Sequence, residues 1–176
     1  DQRMSRGLGD VYKRQVFEIL MKLRKSNLKI YFFICFILPL QCLNSLESTM
    51  SKEPIQTNKA PQAIGAYSQA IKSGNLLFIS GQIPLNPETM EVEDTSFEES
   101  ALRVISNLEN ICKEAGASLD DIVKLNIYLL DLGNFASLNK IMEEKFSQPF
   151  PARATVEVAG LPKDVMIEMD AIVSLK

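Results

Sequence analysis

The chain of 176 residues contains no histidine and no tryptophan, and it has only three cysteines. Without histidine there is no Ser-His or Cys-His nucleophile pair, and the commonest metal ligand is missing. Cys35, Cys42 and Cys112 lack the spacing of a metal site, and two of them fall within residues 1–49. We therefore expect no metal site and no disulfide framework. Any chemistry must come from arginine, lysine, tyrosine, carboxylates, hydroxyls and the backbone.

Basic charge becomes scarce after residue 49. Residues 1–49 hold 8 basic and 4 acidic residues, whereas residues 50–176 hold 11 basic and 18 acidic ones. The net charge thus changes from +4 to −7 along the chain. An acidic domain disfavours general nucleic-acid binding, which needs a basic surface. A hydrophobic content of 46% with 23% charged residues is that of a globular protein, and the length predicts one domain.

Long hydrophobic runs are also absent. Residues 1–20 show no clear period, and their opening DQRMSRGLGDVYKRQ has the look of adaptor or vector sequence, so we treat them as a non-native leader. From Met21, basic residues precede an apolar run, Ile30 to Leu40, which is about half as long as a membrane-spanning helix. Residues 21–49 are therefore either a signal peptide, with a weak cleavage pattern at Cys42, or upstream sequence translated ahead of a true start at Met50. The first interpretation predicts export; the second, which we favour, predicts a cytoplasmic protein without a membrane partner.

Residues 50–176 show the pattern of an α+β domain. Ser96 and Glu99 predict a capping box before a helix that Gly116 ends, and Asn134 is the predicted cap of a second helix. The element order is ββαβαββ, with a further short strand at Ile55. We expect two amphipathic helices on one face of a mixed sheet, with the core stripes Phe97, Ala101, Val104, Ile105, Leu108, Cys112, Ala115 and Phe135, Leu138, Met142, Phe146.

The stretch from Phe150 to Val173 carries the most chemical information. Two alternating runs flank a turn-like segment, which predicts a β-hairpin. If the hairpin closes symmetrically, Thr155 falls opposite Glu168 and Arg153 falls near Asp170. The apolar residues of each run, such as Ala154, Val156 and Val158, would then form the other face.

Two interpretations of this charged face remain open. In the first, it is a solvated surface with opposite charges paired across strands. In the second, it is a site for a small carboxylate, because arginine presents a planar fork that a carboxylate can accept with both oxygens. Arg153 is one of only two arginines after residue 49, the other being Arg103.

Four other residues are weaker candidates. Tyr67 lies in a glycine-containing run before the first long strand, and by itself it reads as a loop anchor. Ser80 and Gly81 interrupt a buried strand, where glycine marks a bulge or a close backbone approach, although strand packing alone would also explain them. Asn139 sits beside the apolar stripe of the second helix, as a boundary amide would.

Together the motifs resemble a known family. IGAYSQA, FISGQIPLNP, PARATVEVAGLPKDV and IEMDAI occur in the order found in the RidA (YjgF) family of reactive-intermediate deaminases, and the resemblance covers about Met50 to Lys176. It implies a chorismate-mutase-like α+β fold and a homotrimer with active sites between subunits. It also implies hydrolysis of 2-iminobutanoate and 2-iminopropanoate, tautomers of reactive enamines, to 2-oxo acids and ammonia, without a cofactor.

The resemblance also implies roles for individual residues. Arg153 would hold the substrate carboxylate, while the backbone of Gly81 and the side chain of Glu168 would place the attacking water. The remaining substrate-binding positions would be Tyr67, Asn139, Ser80 and Thr155. Thr155 stands where many family members have cysteine, which puts cysteine-directed regulation in doubt more than turnover.

Two other functions compete with the deaminase. A non-catalytic trimeric module that binds small carboxylates would use Arg153 in the same way. An RNA-directed activity, implied by some relatives, is disfavoured by the acidic charge of residues 50–176.

The first 49 residues are predicted to be dispensable for folding, since they share no periodic pattern with the rest and carry the opposite net charge. A chain that starts at Met50 should be soluble and as active as the full chain, measured by size-exclusion chromatography and by the assay described below. Aggregation of the shorter chain would show that those residues belong to the fold.

Overall fold

The computed structural model describes residues 52–93 and 95–176. The predictions for residues 1–20, for residues 21–49 and for a start at Met50 lie outside these residues. Within them are six strands and two α-helices: β1 Glu53–Ile55, β2 Ala70–Ser73, β3 Leu76–Gln82, α1 Phe97–Glu114, β4 Ile122–Leu129, α2 Phe135–Lys145, β5 Ala152–Glu157 and β6 Ile167–Ser174. The predicted element order, including the short strand at Ile55, is confirmed.

The six strands form one mixed sheet in the order β1-β2-β3-β6-β4-β5. β4 and β5 are parallel, whereas every other neighbouring pair is antiparallel. The predicted hairpin of β5 and β6 is therefore wrong, because β4 lies between them. Alternation identifies strands but not their neighbours, and α2 provides the crossover that brings β5 back parallel to β4.

The first helix begins and ends as its sequence predicts. The Ser96 hydroxyl oxygen accepts a hydrogen bond from the Glu99 backbone N–H, which satisfies one of the free amides of the first turn. Gly116 follows the last turn with φ of +76°, a conformation that glycine adopts without steric cost. The predicted stripe is buried from Phe97 to Cys112, and α1 packs across β3 and β6.

The second helix begins differently from the prediction. The Asn134 side chain makes no capping hydrogen bond; instead a 3-10 turn, Leu132–Asn134, precedes the helix, and the Asp131 carboxylate accepts from the Gly133 N–H. Leu138, Met142 and Phe146 are buried as expected. Phe135 is 39% exposed and does not belong to the core stripe.

The helices cover only one face of the sheet. Leu125 and Ile127 of β4 pair with Ala171 and Met169 of β6, and all four are buried on the helix side. The opposite side, here called the open face, carries the alternate residues of β4, β5 and β6: Lys124, Asn126, Tyr128, Ala152, Ala154, Val156, Glu168, Asp170 and Ile172. Ala154 and Val156 thus lie on the face opposite Arg153 and Thr155, as predicted, and Val156 is 45% exposed there.

One buried amide holds the loop before β2. Gln69 is 2% exposed. Its side-chain oxygen accepts from the Thr57 N–H at 2.7 Å, and its Nε2 donates to the carbonyls of Thr57, Ala60 and Pro61. A single side chain thus satisfies four backbone groups that would otherwise lose their hydrogen bonds on burial. The loop that carries Tyr67 therefore ends at a residue that is held in place, directly before β2.

Candidate active site

A bulge in β3 opens the sheet next to β6. Ile79 pairs with Ala171 and Gln82 pairs with Met169, so Ser80 and Gly81 together oppose one residue of β6. The extra residue of a bulge leaves the ladder of hydrogen bonds. Ser80 is held in place from the other side, because its Oγ donates to the carbonyl of Ser68 at 2.7 Å.

Glu168 lies directly against Gly81. A Cβ atom built on Gly81 would be 1.9 Å from Glu168 Oε1 and 2.9 Å from its Cδ. Any larger residue at position 81 must therefore displace the carboxylate. The interruption of the strand by glycine thus has a concrete cause, which is the close approach of an acidic side chain to the backbone.

These residues line a cavity of about 650 Å³, here called the bulge cavity. Its polar and charged lining includes Tyr67, Ser80, Gly81, Lys163, Glu168 and Asp170. Tyr67 is 50% exposed, so its ring stands at the edge of the cavity rather than in the core. The structure therefore brings together four of the predicted site residues: Tyr67, Ser80, Gly81 and Glu168.

The two carboxylates of the bulge cavity differ in their surroundings. Burial, and then the charge of Asp170, raise the pKa of the Glu168 carboxyl. Asp170 instead accepts hydrogen bonds from Asn126 Nδ2 and from the Tyr128 hydroxyl, each at 2.8 Å. The hydrogen bond to Asp170 is in turn the main reason that the pKa of Tyr128 is raised, since losing its proton would place two negative charges together.

Arg153 lies in a second cavity of about 360 Å³, here called the arginine cavity, which is lined by Asn139, Met142, Glu143, Phe150, Pro151 and Arg153. Arg153 Nη1 donates to Asn139 Oδ1 at 2.9 Å, and the guanidinium carbon lies 5.2 Å from the centre of the Phe135 ring. The ring face attracts the cation. An amide and an aromatic ring thus orient the guanidinium, which carries five N–H donors.

The two cavities are on opposite faces of the sheet. Arg153 pairs with Leu125 and Thr155 pairs with Ile127, both on the helix side. Glu168 pairs with Tyr128 on the open face. The expected positions of Thr155 opposite Glu168 and of Arg153 near Asp170 are therefore wrong, because β4 rather than β6 is the neighbour of β5. Thr155 Oγ1 is buried and has no hydrogen-bond partner among the described residues.

Comparison with known proteins shows which family the chain belongs to. The family model described as Endoribonuclease L-PSP matches residues 57–175. A RutC family protein of Pyrococcus abyssi is 54% identical over 70% of this chain and 97% of its own length. The crystal structure of RidA from the Antarctic bacterium Psychrobacter sp. PAMC 21119 matches with a TM-score of 0.68 at 48% identity, over 70% of this chain and 99% of that one. The chain belongs to the RidA/YjgF family.

One relative in the RidA/YjgF family carries the name of an activity. The 2-iminobutanoate/2-iminopropanoate deaminase of Dermatophagoides farinae is 40% identical over 71% of this chain and 98% of its own length. The match includes the strands and helices that hold both cavities, since the family model extends from residue 57 to residue 175. The chain therefore belongs to a family that includes reactive-intermediate deaminases.

Sequence reasoning overlooked several neighbours of the site. Phe135 was assigned to the core, although it covers Arg153, and Lys163 was not considered although it lines the bulge cavity. Asn126 and Tyr128 had no signal of their own, because alternate polar residues on a strand usually indicate only a solvated face. Knowing that β4 is the partner of β6 would have revealed them, since they pair with Asp170 and Glu168.

The described residues contain no group of three or more cysteine, aspartate or glutamate side chains arranged to hold a metal ion. Neither helix of the described part is long and apolar enough to cross a membrane. Cys112 is buried, and burial raises the pKa of its thiol to about 12. This thiol is therefore protonated at neutral pH and a poor nucleophile.

Gly81→Ala should destabilise the fold by about 1 kcal/mol, because the new methyl group overlaps the flexible end of the Glu168 side chain, which must move aside. The cost should fall to roughly 0.5 kcal/mol or less in a Glu168→Ala background, where the overlapping atoms are gone. Chemical denaturation of the two single variants and the double variant, at one protein concentration, measures this coupling.

Gly160→Ala is the matched control, since nothing lies within 4 Å of the Cβ position at residue 160. It should change stability by no more than about 0.5 kcal/mol. Equal costs of Gly81→Ala with and without Glu168 would mean that this contact does not determine the glycine.

Proposed function

We propose that this protein hydrolyses reactive 2-imino acids, such as 2-iminobutanoate and 2-iminopropanoate, to 2-oxo acids and ammonia. The observation that carries the proposal is Glu168, a half-buried carboxyl with a raised pKa that faces the Gly81 bulge inside a cavity. The deaminase of Dermatophagoides farinae, which is 40% identical to this chain, supports the choice of substrate.

The reaction needs no strong nucleophile. A protonated imine has an electrophilic carbon, and water attacks it to form a new C–O bond while Glu168 accepts the proton of the water. Glu168 then returns that proton to the nitrogen, the C–N bond breaks and ammonia leaves while Glu168 accepts the remaining hydroxyl proton, so that a C=O bond replaces the C=N bond. A positioned carboxyl that transfers protons in this way contributes typically about 10²–10⁴-fold to the rate.

Arg153 supplies orientation. The substrate carboxylate would accept two parallel hydrogen bonds from the guanidinium, which Asn139 and Phe135 hold in place. Fixing the carboxylate fixes the adjacent imine carbon relative to the water, and such orientation can lower the barrier by several kcal/mol. Tyr67, Ser80 and Thr155 would complete the substrate site.

A single subunit does not present Arg153 and Glu168 to one small substrate, because they lie on opposite faces of its sheet. We therefore place the site between subunits of a homotrimer, with the arginine cavity of one subunit against the bulge cavity of the next. The chorismate-mutase-like arrangement implied by the sequence resemblance has this form. Exposed apolar side chains on the open side of the sheet, such as Phe78 at 43% and Val156 at 45%, fit an interface.

Arg153→Lys should lower kcat/KM by roughly ten- to a hundredfold although it keeps the charge, because an ammonium cannot replace the fork and the loss of a charge-assisted hydrogen bond costs about 1.5–3 kcal/mol. Arg153→Ala should lower it further. The assay couples a purified threonine dehydratase to the protein and follows the release of 2-oxobutanoate. The melting temperature should change less than the activity.

Arg103→Lys is the matched control, since Arg103 pairs with Glu93 away from both cavities. It should keep full activity. If Arg153→Lys also kept full activity, the substrate site would lie elsewhere.

If the unmodified protein gave no acceleration over buffer, the protein would instead be a carboxylate-binding module. Tight, salt-dependent RNA binding would favour the RNA-directed alternative.

Mixing two inactive variants tests the site between subunits. Arg153→Ala and Glu168→Gln should each be nearly inactive as pure proteins. After subunit exchange in an equal mixture, about a quarter of the interfaces would unite an intact Arg153 with an intact Glu168, so about a quarter of the activity should return. No recovery, with exchange confirmed by mass spectrometry, would place the whole site within one subunit, and a monomer mass by light scattering would end the trimer proposal.

A further inference from the structure

The open face holds a polar network that the proposed mechanism does not use. Asn126 and Tyr128, alternate residues of β4, both donate to the carboxylate of Asp170, one to each oxygen. Asn126 is the register partner of Asp170, so its bond spans the strands directly. Tyr128 is the register partner of Glu168, yet its hydroxyl reaches past Glu168 to Asp170.

Two neighbouring carboxylates differ in the hydrogen bonds that they accept from this network. Glu168 and Asp170 are alternate residues of β6 and line the same cavity, about 7 Å apart along the strand. Asp170 has two hydrogen-bond donors, whereas none of the described residues donates a hydrogen bond to the Glu168 carboxyl. The two hydrogen bonds fix the position of the Asp170 carboxylate, whereas the Glu168 carboxyl is free to exchange a proton with a bound molecule.

We propose that Asp170, fixed by Asn126 and Tyr128, is a positioning residue that acts through Glu168 by holding a second carboxylate beside the one that carries the proton. Two nearby carboxyl groups with different surroundings divide the roles of fixed charge and proton carrier. Asp170 is the fixed charge, and Glu168 is the carrier. The inference deepens the proposed deaminase site, and its kinetic part rests on that function.

The other charged and titratable groups of the bulge cavity and the open face come from four elements. They are Asp170 on β6, Tyr128 and Lys124 on β4, Lys163 on the turn before β6, and Tyr67 on the loop before β2. Lys163 is exposed, and its positive charge opposes the effect of Asp170. Burial, and then the charge of Asp170, raise the pKa of Glu168.

The charge of Asp170 acts on the pKa of Glu168 in a known direction. With the charge of Asp170 present, Glu168 loses its proton at a higher pH than it would alone. Asp170→Asn removes that charge and keeps the size of the side chain, so the pKa of Glu168 should fall. If ionised Glu168 accepts the proton of water, the acidic limb of the pH profile of kcat/KM should move to lower pH by the same amount.

The experiment measures both quantities on the full chain. NMR titration of the glutamate side-chain carboxyl carbons gives the pKa of Glu168, whose signal is assigned by its loss in Glu168→Gln. The coupled imine assay gives the pH profile. Asp170→Glu restores the charge and should return the acidic limb close to its original position, even if the rate is lower. If Asp170 had a purely structural role, this variant would not restore the position of the acidic limb.

Asp120→Asn is the matched control, because it removes one exposed carboxylate that does not line the bulge cavity. It should leave both the titration and the pH profile in place. An unchanged pKa of Glu168 in Asp170→Asn would overturn the inference, as would a rise. A fall of that pKa in a protein without imine hydrolysis would support the inference and overturn the proposed function, so the two failures are distinguishable.

Discussion

The pairing of β4 with strands on both of its sides determines the geometry of the whole candidate site. On β5, Arg153 and Thr155 pair with inward residues of β4 and therefore lie on the helix side. On β6, Glu168 and Asp170 pair with outward residues of β4 and therefore lie on the open face. Because alternate residues of a strand point to opposite sides, no local adjustment can bring Arg153 and Glu168 together within one sheet. The need for a second subunit in the proposed mechanism follows from this single constraint.

Local features of the sequence predicted the local structure well. Ser96 and Gly116 marked the ends of α1, and the spacing of its apolar residues identified the buried side. These signals act over one or two helical turns and need no knowledge of the rest of the fold. The predicted cap of α2 was wrong, because Asp131 and Asn134 are both residue types that cap helices. In the structure Asp131 caps the 3-10 turn Leu132–Asn134, and Asn134 makes no capping hydrogen bond.

The arrangement of the strands could not be predicted in the same way. Alternation in residues 152–157 and 167–174 is equally compatible with a hairpin and with a sheet in which another strand intervenes. A hairpin would put Arg153 near Asp170. With β4 between the two strands, Arg153 instead donates a hydrogen bond to Asn139. The Gly81 bulge was foreseen as a close backbone approach, but its partner Glu168 was identified only through family resemblance and then located by the structure.

A chain without histidine has to obtain proton transfer near neutral pH from groups whose usual pKa values lie far away. The open face offers one solution, in which burial and a neighbouring carboxylate raise the pKa of a glutamate while hydrogen bonds fix that neighbour in place. The same groups would be unremarkable on a solvated sheet. Their position in a cavity, next to a bulge, gives the shift a chemical use.

The position of β6 in the sheet also has a consequence for how the chain folds. β6 follows every other described strand in the sequence, yet it lies between β3 and β4, and Leu77 pairs with Val173 across most of the domain. During synthesis, the earlier strands therefore emerge from the ribosome without the partner that joins them. Such non-local pairing favours slow folding, and it leaves the edges of β3 and β4 exposed until residues 167–174 arrive. Chaperone binding would be most useful in that interval.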